Sequence, residues 1–143
     1  MFVSDILSQK GGLVFTVTPG TTVAQVAQQL STRRIGSVLV MTGGDAIAGI
    51  VSERDLVRAL AQHGASALDF EVRQVMTRDV VTCHPDDPIE RVMGMMTDGR
   101  FRHLPVVDRD ELVGLISIGD VVKARLAETQ HEAEALKAYI VAG

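Results

Sequence analysis

Two short runs of polar residues carry the hydrogen-bonding chemistry of this chain, and both have the form Ser-x-x-Asp. Ser52 and Asp55 form the first run, and Ser117 and Asp120 form the second. Each run directly follows an apolar segment, which predicts that it lies where a strand passes into a helix. A serine with an acid three residues later is typical of a capping box at a helix start. The same hydroxyl and carboxylate can also offer hydrogen-bonding atoms to a polar ligand.

The basic residues near the two runs differ between the halves of the chain. Arg102 and His103 precede an apolar segment in the second half, where the first half has Gly36 and Ser37. Arg54 lies inside the first run, where the second run has a glycine. Cations of this kind can bind an anion, but the arginines can equally be solvated surface charges and the histidine a structural residue. The basic groups of the two halves are therefore complementary and not duplicated.

Residues for catalysis or metal binding do not stand in a recognisable pattern. The sequence has no Gly-x-Gly-x-x-Gly and no Gly-Lys-Ser/Thr, and Leu115 replaces the glycine that a nucleophile elbow around Ser117 would need. The four histidines lack metal-ligand spacing. Cys83 is the single cysteine, so it forms no internal disulfide, and we interpret it as a buried packing residue. We predict no catalytic residues, no metal site and no enzymatic activity.

The two Ser-x-x-Asp runs belong to a longer internal repeat. Residues 14–19 align with residues 80–85, and the match continues until one residue is lost in a turn of the second copy. Residues 49–55 then align with residues 114–120. The chain therefore holds two copies of one unit of about 60 residues. Because neither copy alone would bury enough surface to be stable, we expect the two to pack on each other as a pseudo-symmetric pair.

Each copy has the same predicted order of elements: strand, helix, strand, strand, helix. First strands are predicted at residues 14–17 and 80–83, and apolar residues three and four apart predict the helices that follow. Asp87 is expected to cap the first helix of the second copy, ahead of Pro88. The second helices are expected to start near Glu53 and near Gly119. This predicts an α/β fold.

The boundaries follow from the repeat. We predict a first unit over residues 1–66, a second over residues 67–128, and a helical tail over residues 129–143, all in one module. The tail continues an apolar seam with spacings of four and three, which is typical of a coiled coil. This seam can pack back on the module or pair with another copy or a client protein; it consists of Val122, Leu126, Thr129, Ala133, Leu136 and Ile140.

These features resemble a tandem pair of CBS domains, also called a Bateman module. The resemblance depends on the Gly-hydrophobic-hydrophobic-Ser-x-x-Asp pattern that ends each third strand, and on residues 101–107, Phe-Arg-His-Leu-Pro-Val-Val. It covers residues 3–126 and implies two CBS units of order β-α-β-β-α. It also implies sensing of an adenosine-containing ligand: AMP first, otherwise ADP, ATP, NAD(H) or S-adenosylmethionine. A scaffold with empty clefts is the alternative function.

The resemblance implies a role for each polar run in holding ribose. The carboxylates of Asp120 and Asp55 would accept hydrogen bonds from the two hydroxyls of the sugar, with Ser117 and Ser52 beside them. Capping alone is the alternative role, and the two roles are compatible because a capping residue can present its outer face to a ligand.

The remaining parts of the ligand would be held by cations and aliphatic side chains. Arg102 and His103 are expected to bind phosphate, and Arg54 is expected to reach the anion held by the second copy. The base pocket would be aliphatic, with core packing as the alternative for each side chain. Its candidates are Val81, Val106 and Ile116 in the second copy and Val17, Val40 and Val51 in the first.

Composition limits the expected partners. A net charge of −4 and an aromatic content of 3% argue against nucleic-acid binding. No apolar run reaches the roughly 20 residues of a membrane span, so we expect no membrane contact. With no disulfide to form, the chain needs no oxidising compartment, and we expect a cytoplasmic protein. The resemblance implies a homodimer formed through the helices of the CBS units, and a client protein that the sequence does not identify.

Overall fold

The computed structural model describes residues 1–142. The predicted order of strand, helix, strand, strand and helix is complete in the first copy, and the second copy follows it without the first strand. An additional helix precedes the first copy, and two short 3₁₀ helices at Gly64–Asp69 and Val72–Gln74 join the copies. The elements are, in chain order, α1 (Val3–Lys10), β1 (Thr16–Val17), α2 (Val23–Arg33), β2 (Ser37–Thr42), β3 (Ala46–Ser52), α3 (Glu53–His63), α4 (Ile89–Gly99), β4 (His103–Asp108), β5 (Glu111–Ser117) and α5 (Ile118–Ala142). The predicted α/β class is confirmed.

Packing divides the chain into two units whose limits differ from the repeat boundaries. The central unit is Val14–Val81; the terminal unit is Met1–Leu13 together with the chain from Thr82 onward. The sequence boundaries of 1–66, 67–128 and 129–143 assigned the first thirteen residues to the first copy, but they pack with the second. The reason is apolar burial, because Val3 and Ile6 of α1 lie in the core of the terminal unit.

The central unit is a three-stranded sheet covered by helices. β1 runs parallel to β2, and β2 pairs antiparallel with β3, so that Ser37 lies opposite Ser52. α2 begins at a capping box in which Thr22 accepts a hydrogen bond from the backbone of Gln25. The linker after α3 closes this core by burying Val72.

The terminal unit has a two-stranded sheet, because the predicted strand at residues 80–83 does not form. Only Cys83 pairs with Val106, in an isolated parallel bridge. The bridge has two backbone hydrogen bonds, from Cys83 N to Pro105 O at 2.9 Å and from Val107 N to Cys83 O at 2.8 Å. His84 and Asp87 then form a turn, which ends the pairing after a single residue.

The predicted N-cap of α4 is wrong. The helix begins at Ile89, and Pro88 is the N-cap residue, without a side-chain capping bond. The Asp87 carboxylate instead accepts a hydrogen bond from the backbone N–H of His84 at 2.8 Å. The Asp87 side chain thus bonds to the backbone before it and not to the first turn of α4, which is a known competing role of aspartate.

The repeat is visible in the backbone as well as in the sequence. Arg34 and Arg100 end α2 and α4 in the left-handed conformation, with φ of 54° and 56°. The two hairpins also share a register shift, between Val40 and Met41 in one and between Val106 and Val107 in the other. Equivalent irregularities at equivalent positions indicate that the two copies have the same architecture.

α5 extends well beyond the second copy. Residues 129–142 are all exposed, so the seam does not pack back there, and pairing with another copy or a client protein stays a prediction. Within residues 1–142, no helix is both long and apolar enough to span a bilayer.

Candidate functional site

Both Ser-x-x-Asp runs lie where a strand passes directly into a helix, as the sequence predicted. Ser52 ends β3 and caps α3, and its hydroxyl accepts a hydrogen bond from Asp55 N at 3.4 Å. Ser117 ends β5, and its hydroxyl accepts one from Asp120 N at 3.2 Å. In return, each carboxylate accepts a hydrogen bond from the backbone N–H of its serine, at 2.9 and 2.8 Å. Both runs are therefore capping boxes.

In the central unit, the carboxylate is closed off by its own neighbours. The Asp55 side chain is 8% exposed. Its Oδ2 accepts a second hydrogen bond from the Ser52 hydroxyl at 3.1 Å, and its Oδ1 accepts one from the Thr77 hydroxyl at 3.2 Å. The guanidinium of Arg58 lies 3.7 Å from Oδ1. All of these partners belong to the central unit, so the Asp55 carboxylate has a structural role there.

In the terminal unit, the corresponding carboxylate is more open and carries a different partner. The Asp120 side chain is 26% exposed, and its Oδ2 accepts a hydrogen bond from the Lys10 ammonium at 2.7 Å. Lys10 also donates to the carbonyl of Leu115 at 2.9 Å. Burial raises the pKa of the Asp120 carboxyl, but the hydrogen bonds from Lys10 and Ser117 outweigh burial and lower it below its ordinary value. Asp120 is therefore a stable anion near neutral pH.

Lys10 is a residue of this site that was not predicted from the sequence. It lies far from Asp120 along the chain and comes from α1, which was assigned to the other copy. One signal was available: residues 5–8 resemble residues 74–77, and Thr77 contacts the carboxylate in the central unit. A residue just beyond the counterpart of Thr77 was thus a candidate for contacting the other carboxylate.

A cavity of about 200 Å³ lies beside this ion pair, between α1 and α5. The side chains of Lys10 and Asp120 are part of its lining, together with Asp5 and Lys123. Apolar side chains, among them Ile6 and Ala124, form the rest of the lining, so the cavity has a mainly apolar surface with charged groups from both helices.

The expected phosphate residues of the second copy lie near Ser117. Strand pairing places His103 directly opposite Ser117, and the carbonyl of Arg102 accepts a hydrogen bond from Ile118 N at 2.8 Å. The structure thus brings Arg102 and His103 to the end of the sheet where α5 begins. Arg54 is exposed in the first turn of α3, in the central unit. That Arg54 binds the anion held by the second copy stays a prediction.

The expected base pocket consists mainly of core residues. Val106 and Ile116 are fully buried in the core of the terminal unit, and Val17, Val40 and Val51 are buried in the core of the central unit. Side chains packed in this way offer almost no surface to a base, so core packing is the role that the structure gives them. Val81 differs, because it is 44% exposed.

Cys83 is buried in the core of the terminal unit. Burial raises the pKa of the Cys83 thiol to about 12, so it is protonated and inert near neutral pH. Among residues 1–142, no group of three His, Cys, Asp or Glu side chains is arranged to hold a metal ion.

Comparison with known proteins identifies the family. The CBS domain pattern matches this chain twice, at residues 3–62 and 72–127. The chain belongs to the CBS-domain family. A relative, the CBS domain-containing protein CBSX3, mitochondrial, of Arabidopsis thaliana, is 34% identical over 99% of this chain and 72% of its own length. A CBS-domain containing protein of Agrobacterium tumefaciens is similar in structure, with a TM-score of 0.85 and 45% identity over 87% of this chain and 92% of its own.

Two further CBS structures contain adenosine compounds. The CBS domain protein PAE2072 of Pyrobaculum aerophilum, complexed with AMP, is 28% identical with a TM-score of 0.74, over 84% of this chain and 89% of its own. The CBS domain pair of protein MJ0100, in complex with 5-methylthioadenosine and S-adenosyl-L-methionine, is 26% identical with a TM-score of 0.79. That match covers 90% of this chain and 98% of the other. Some CBS pairs of this architecture therefore bind adenosine-type ligands.

Proposed function

We propose that this CBS pair is a sensor that binds an adenine nucleotide at the start of α5 and relays its presence to a partner protein. AMP is the ligand we favour, with NAD(H) or ATP as the alternatives. One observation carries this proposal: the anionic, partly exposed carboxylate of Asp120 stands beside Ser117 at the junction of β5 and α5. A related pair with AMP supports the choice of ligand.

The chemistry of this junction fits a nucleotide. An ionised carboxylate accepts hydrogen bonds from two vicinal hydroxyls, which is what a ribose diol offers. Arg102 and His103 lie at the same end of the sheet, where the guanidinium of Arg102 can pair with a phosphate. Such charge-assisted hydrogen bonds are among the stronger polar contacts in proteins, so one diol and one phosphate can orient the ligand.

S-adenosylmethionine is the second candidate, and the MJ0100 pair favours it. It shares the diol and the base with AMP but has no phosphate. Both candidates therefore need Asp120 to bind the diol, but only AMP needs Arg102 to bind a phosphate. The effect of substituting Arg102 can thus separate the two ligands.

The output of the sensor is a further part of the proposal. Exposed apolar residues on the helices of both copies support a homodimer formed through those helices: Val57 and Leu60 on α3, and Val122 and Leu126 on α5. We propose that the dimer transmits ligand binding to a client protein, without catalysis and without nucleic-acid or membrane contact. We place it in the cytoplasm; fractionation of cells tests this, since one relative is mitochondrial by name.

Identification of the ligand tests the proposal most directly. The purified protein is denatured, and mass spectrometry identifies any released nucleotide. Calorimetry then measures the affinity for AMP, NAD, ATP and S-adenosylmethionine in wild type, in Asp120→Ala, and in Asp98→Ala as a control that removes an exposed acid of α4. We expect AMP to bind, Asp120→Ala to weaken that binding by about ten- to a hundredfold and Asp98→Ala to retain it. A scaffold would bind none of the four, and conversion of a ligand on incubation would show an enzyme.

A further inference from the structure

Lys10 contacts one of the two carboxylate oxygens of Asp120 that a ribose diol would use. Its ammonium lies 2.7 Å from Asp120 Oδ2, which also accepts the hydrogen bond from Ser117 N. The second acceptor of the ammonium is the carbonyl of Leu115, at 2.9 Å. Without ligand, therefore, one oxygen of the proposed ribose-binding carboxylate is already shared by a backbone donor and a cation.

We propose that Lys10 is a specificity residue, which favours phosphate-bearing over phosphate-free adenosine ligands because it moves from Asp120 to the phosphate of the ligand. This inference rests on the proposed function and adds a residue and a selection rule to it.

The exchange follows from the balance of charges at Asp120. A diol that bonds to both oxygens of this carboxylate competes with the ammonium for Oδ2. A neutral nucleoside that displaces the ammonium gives it no new partner, so the lost ion pair counts against binding. A nucleotide brings its own anion, and the displaced ammonium can pair with it. The same lysine thus opposes adenosine and supports AMP.

The fold allows the side chain of Lys10 to move while its backbone stays in place. α1 is anchored by Val3 and Ile6, which are buried in the core of the terminal unit. Two residues after Lys10, a Cβ added at Gly12 would lie 2.6 Å from the carbonyl oxygen of Val113, so the chain here is fitted closely against β5. The Lys10 side chain itself is 37% exposed and borders the cavity between α1 and α5. A lysine ammonium is a point charge on a flexible stem, so a change of rotamer is enough to change its partner.

The test compares two ligands that differ only in the phosphate. Calorimetry measures the dissociation constants of AMP and adenosine for wild type, Lys10→Met and Lys10→Arg. Lys123→Met is the matched control, because Lys123 borders the same cavity from α5 and its ammonium is not within ion-pair distance of Asp120. Methionine keeps most of the aliphatic stem and removes the charge.

We expect Lys10→Met to reduce the preference for AMP over adenosine by about tenfold, the value of one charge-assisted contact. Part of this change is weaker AMP binding and part is stronger adenosine binding. Lys10→Arg keeps the cation and should keep most of the preference. Lys123→Met should change it by less than about twofold, as expected for an exposed charge.

An unchanged preference in Lys10→Met would overturn the inference, and so would a parallel rise of both affinities, because lysine would then only block the carboxylate. If Asp120→Ala abolishes AMP binding while Lys10→Met keeps the preference, this inference fails and the proposed function stands. If wild type binds neither ligand, both fail.

Discussion

The junctions at Ser52–Asp55 and Ser117–Asp120 have the same local structure and different surroundings. Both are capping boxes between a strand and a helix, with serine and aspartate in the same hydrogen-bonding roles. In the central unit, a threonine hydroxyl takes the remaining carboxylate oxygen and the side chain is buried. In the terminal unit, a lysine ammonium pairs with a carboxylate that is partly open to solvent.

The different surroundings of the two carboxylates come from the segment that precedes each copy, because that segment packs with the other copy. Thr77 belongs to the linker that packs into the central unit, and Lys10 belongs to α1, which packs into the terminal unit. Each carboxylate is thus completed by a residue outside its own β-α-β-β-α repeat. A duplicated motif can therefore keep its local fold while one copy has a structural role and the other is free to bind a ligand.

The largest effect should appear when the two aspartates are truncated in turn and stability is measured. Asp55→Ala removes the acidic partner in a capping box and leaves the hydroxyl of Thr77 without its acceptor, so we expect a loss of about 2–4 kcal/mol in the free energy of unfolding. Asp120→Ala removes the equivalent acid at a more exposed position and should cost about 1 kcal/mol. Urea denaturation of both variants measures the difference. Equal losses would break the distinction between a structural and a binding carboxylate.

For ligand binding the order of the two variants should be reversed, with the larger effect in Asp120→Ala. Asp120→Ala should weaken AMP binding by about ten- to a hundredfold, because the diol loses a charged acceptor worth about 1.5–3 kcal/mol. Asp55→Ala should leave the AMP affinity of the folded fraction at the terminal unit nearly unchanged. Calorimetry below the unfolding temperature of each variant tests this. A folded Asp120→Ala protein with wild-type affinity would remove Asp120 from the site.

Next in size is the effect of the cations that the two copies do not share. Arg102→Ala should weaken AMP by about tenfold and adenosine little, because only the phosphate needs a cation. If Arg54 serves the same anion, Arg54→Ala should weaken the same site although it lies in the other copy. Titrations of both ligands with both variants measure this. Equal losses of AMP and adenosine in Arg102→Ala would mean that this arginine supports the fold and does not bind phosphate.

Local structure was predictable from the sequence because local patterns encode it. The order of strands and helices, both capping boxes and the shorter turn of the second copy follow from periodicity and turn residues. Where a turn competed with a cap, as at Asp87, the pattern was ambiguous and the prediction was wrong. Extended pairing at residues 80–83 also failed, since Cys83 alone reaches Val106.

The exchange of segments between the copies was not predictable in the same way, because it is a tertiary property. Periodicity within α1 shows an apolar face but not the core that the face enters. Gly49 and Gly114 give a further indication of this placement. A Cβ at Gly49 would lie 2.6 Å from the sulfur of Met76, and one at Gly114 would lie 2.5 Å from Cδ2 of Leu7. The glycine that opens each third-strand motif thus makes room for the incoming segment, and the contact of Lys10 with Asp120 follows from that placement.

The smallest expected effect concerns pH, and it separates the ion pair at Asp120 from the rest of the junction. Burial alone would raise the pKa of this carboxyl, yet hydrogen bonds from Lys10 and Ser117 bring it below its ordinary value. A depressed pKa in the folded state gives stability that is present above the unfolded pKa and lost as the pH falls through the folded one. Lys10→Met removes one of the two stabilising donors, so the pKa of Asp120 should rise, and the stability that this group loses in acid should become smaller and be fully lost at a higher pH. Carbon-13 NMR titration of the carboxyl in wild type and Lys10→Met measures the shift directly, and Lys123→Met is the control. An unchanged titration of Asp120 in Lys10→Met would mean that the hydrogen bonds from Ser117 alone hold this carboxylate ionised, and that the ion pair with Lys10 has no effect on its pKa.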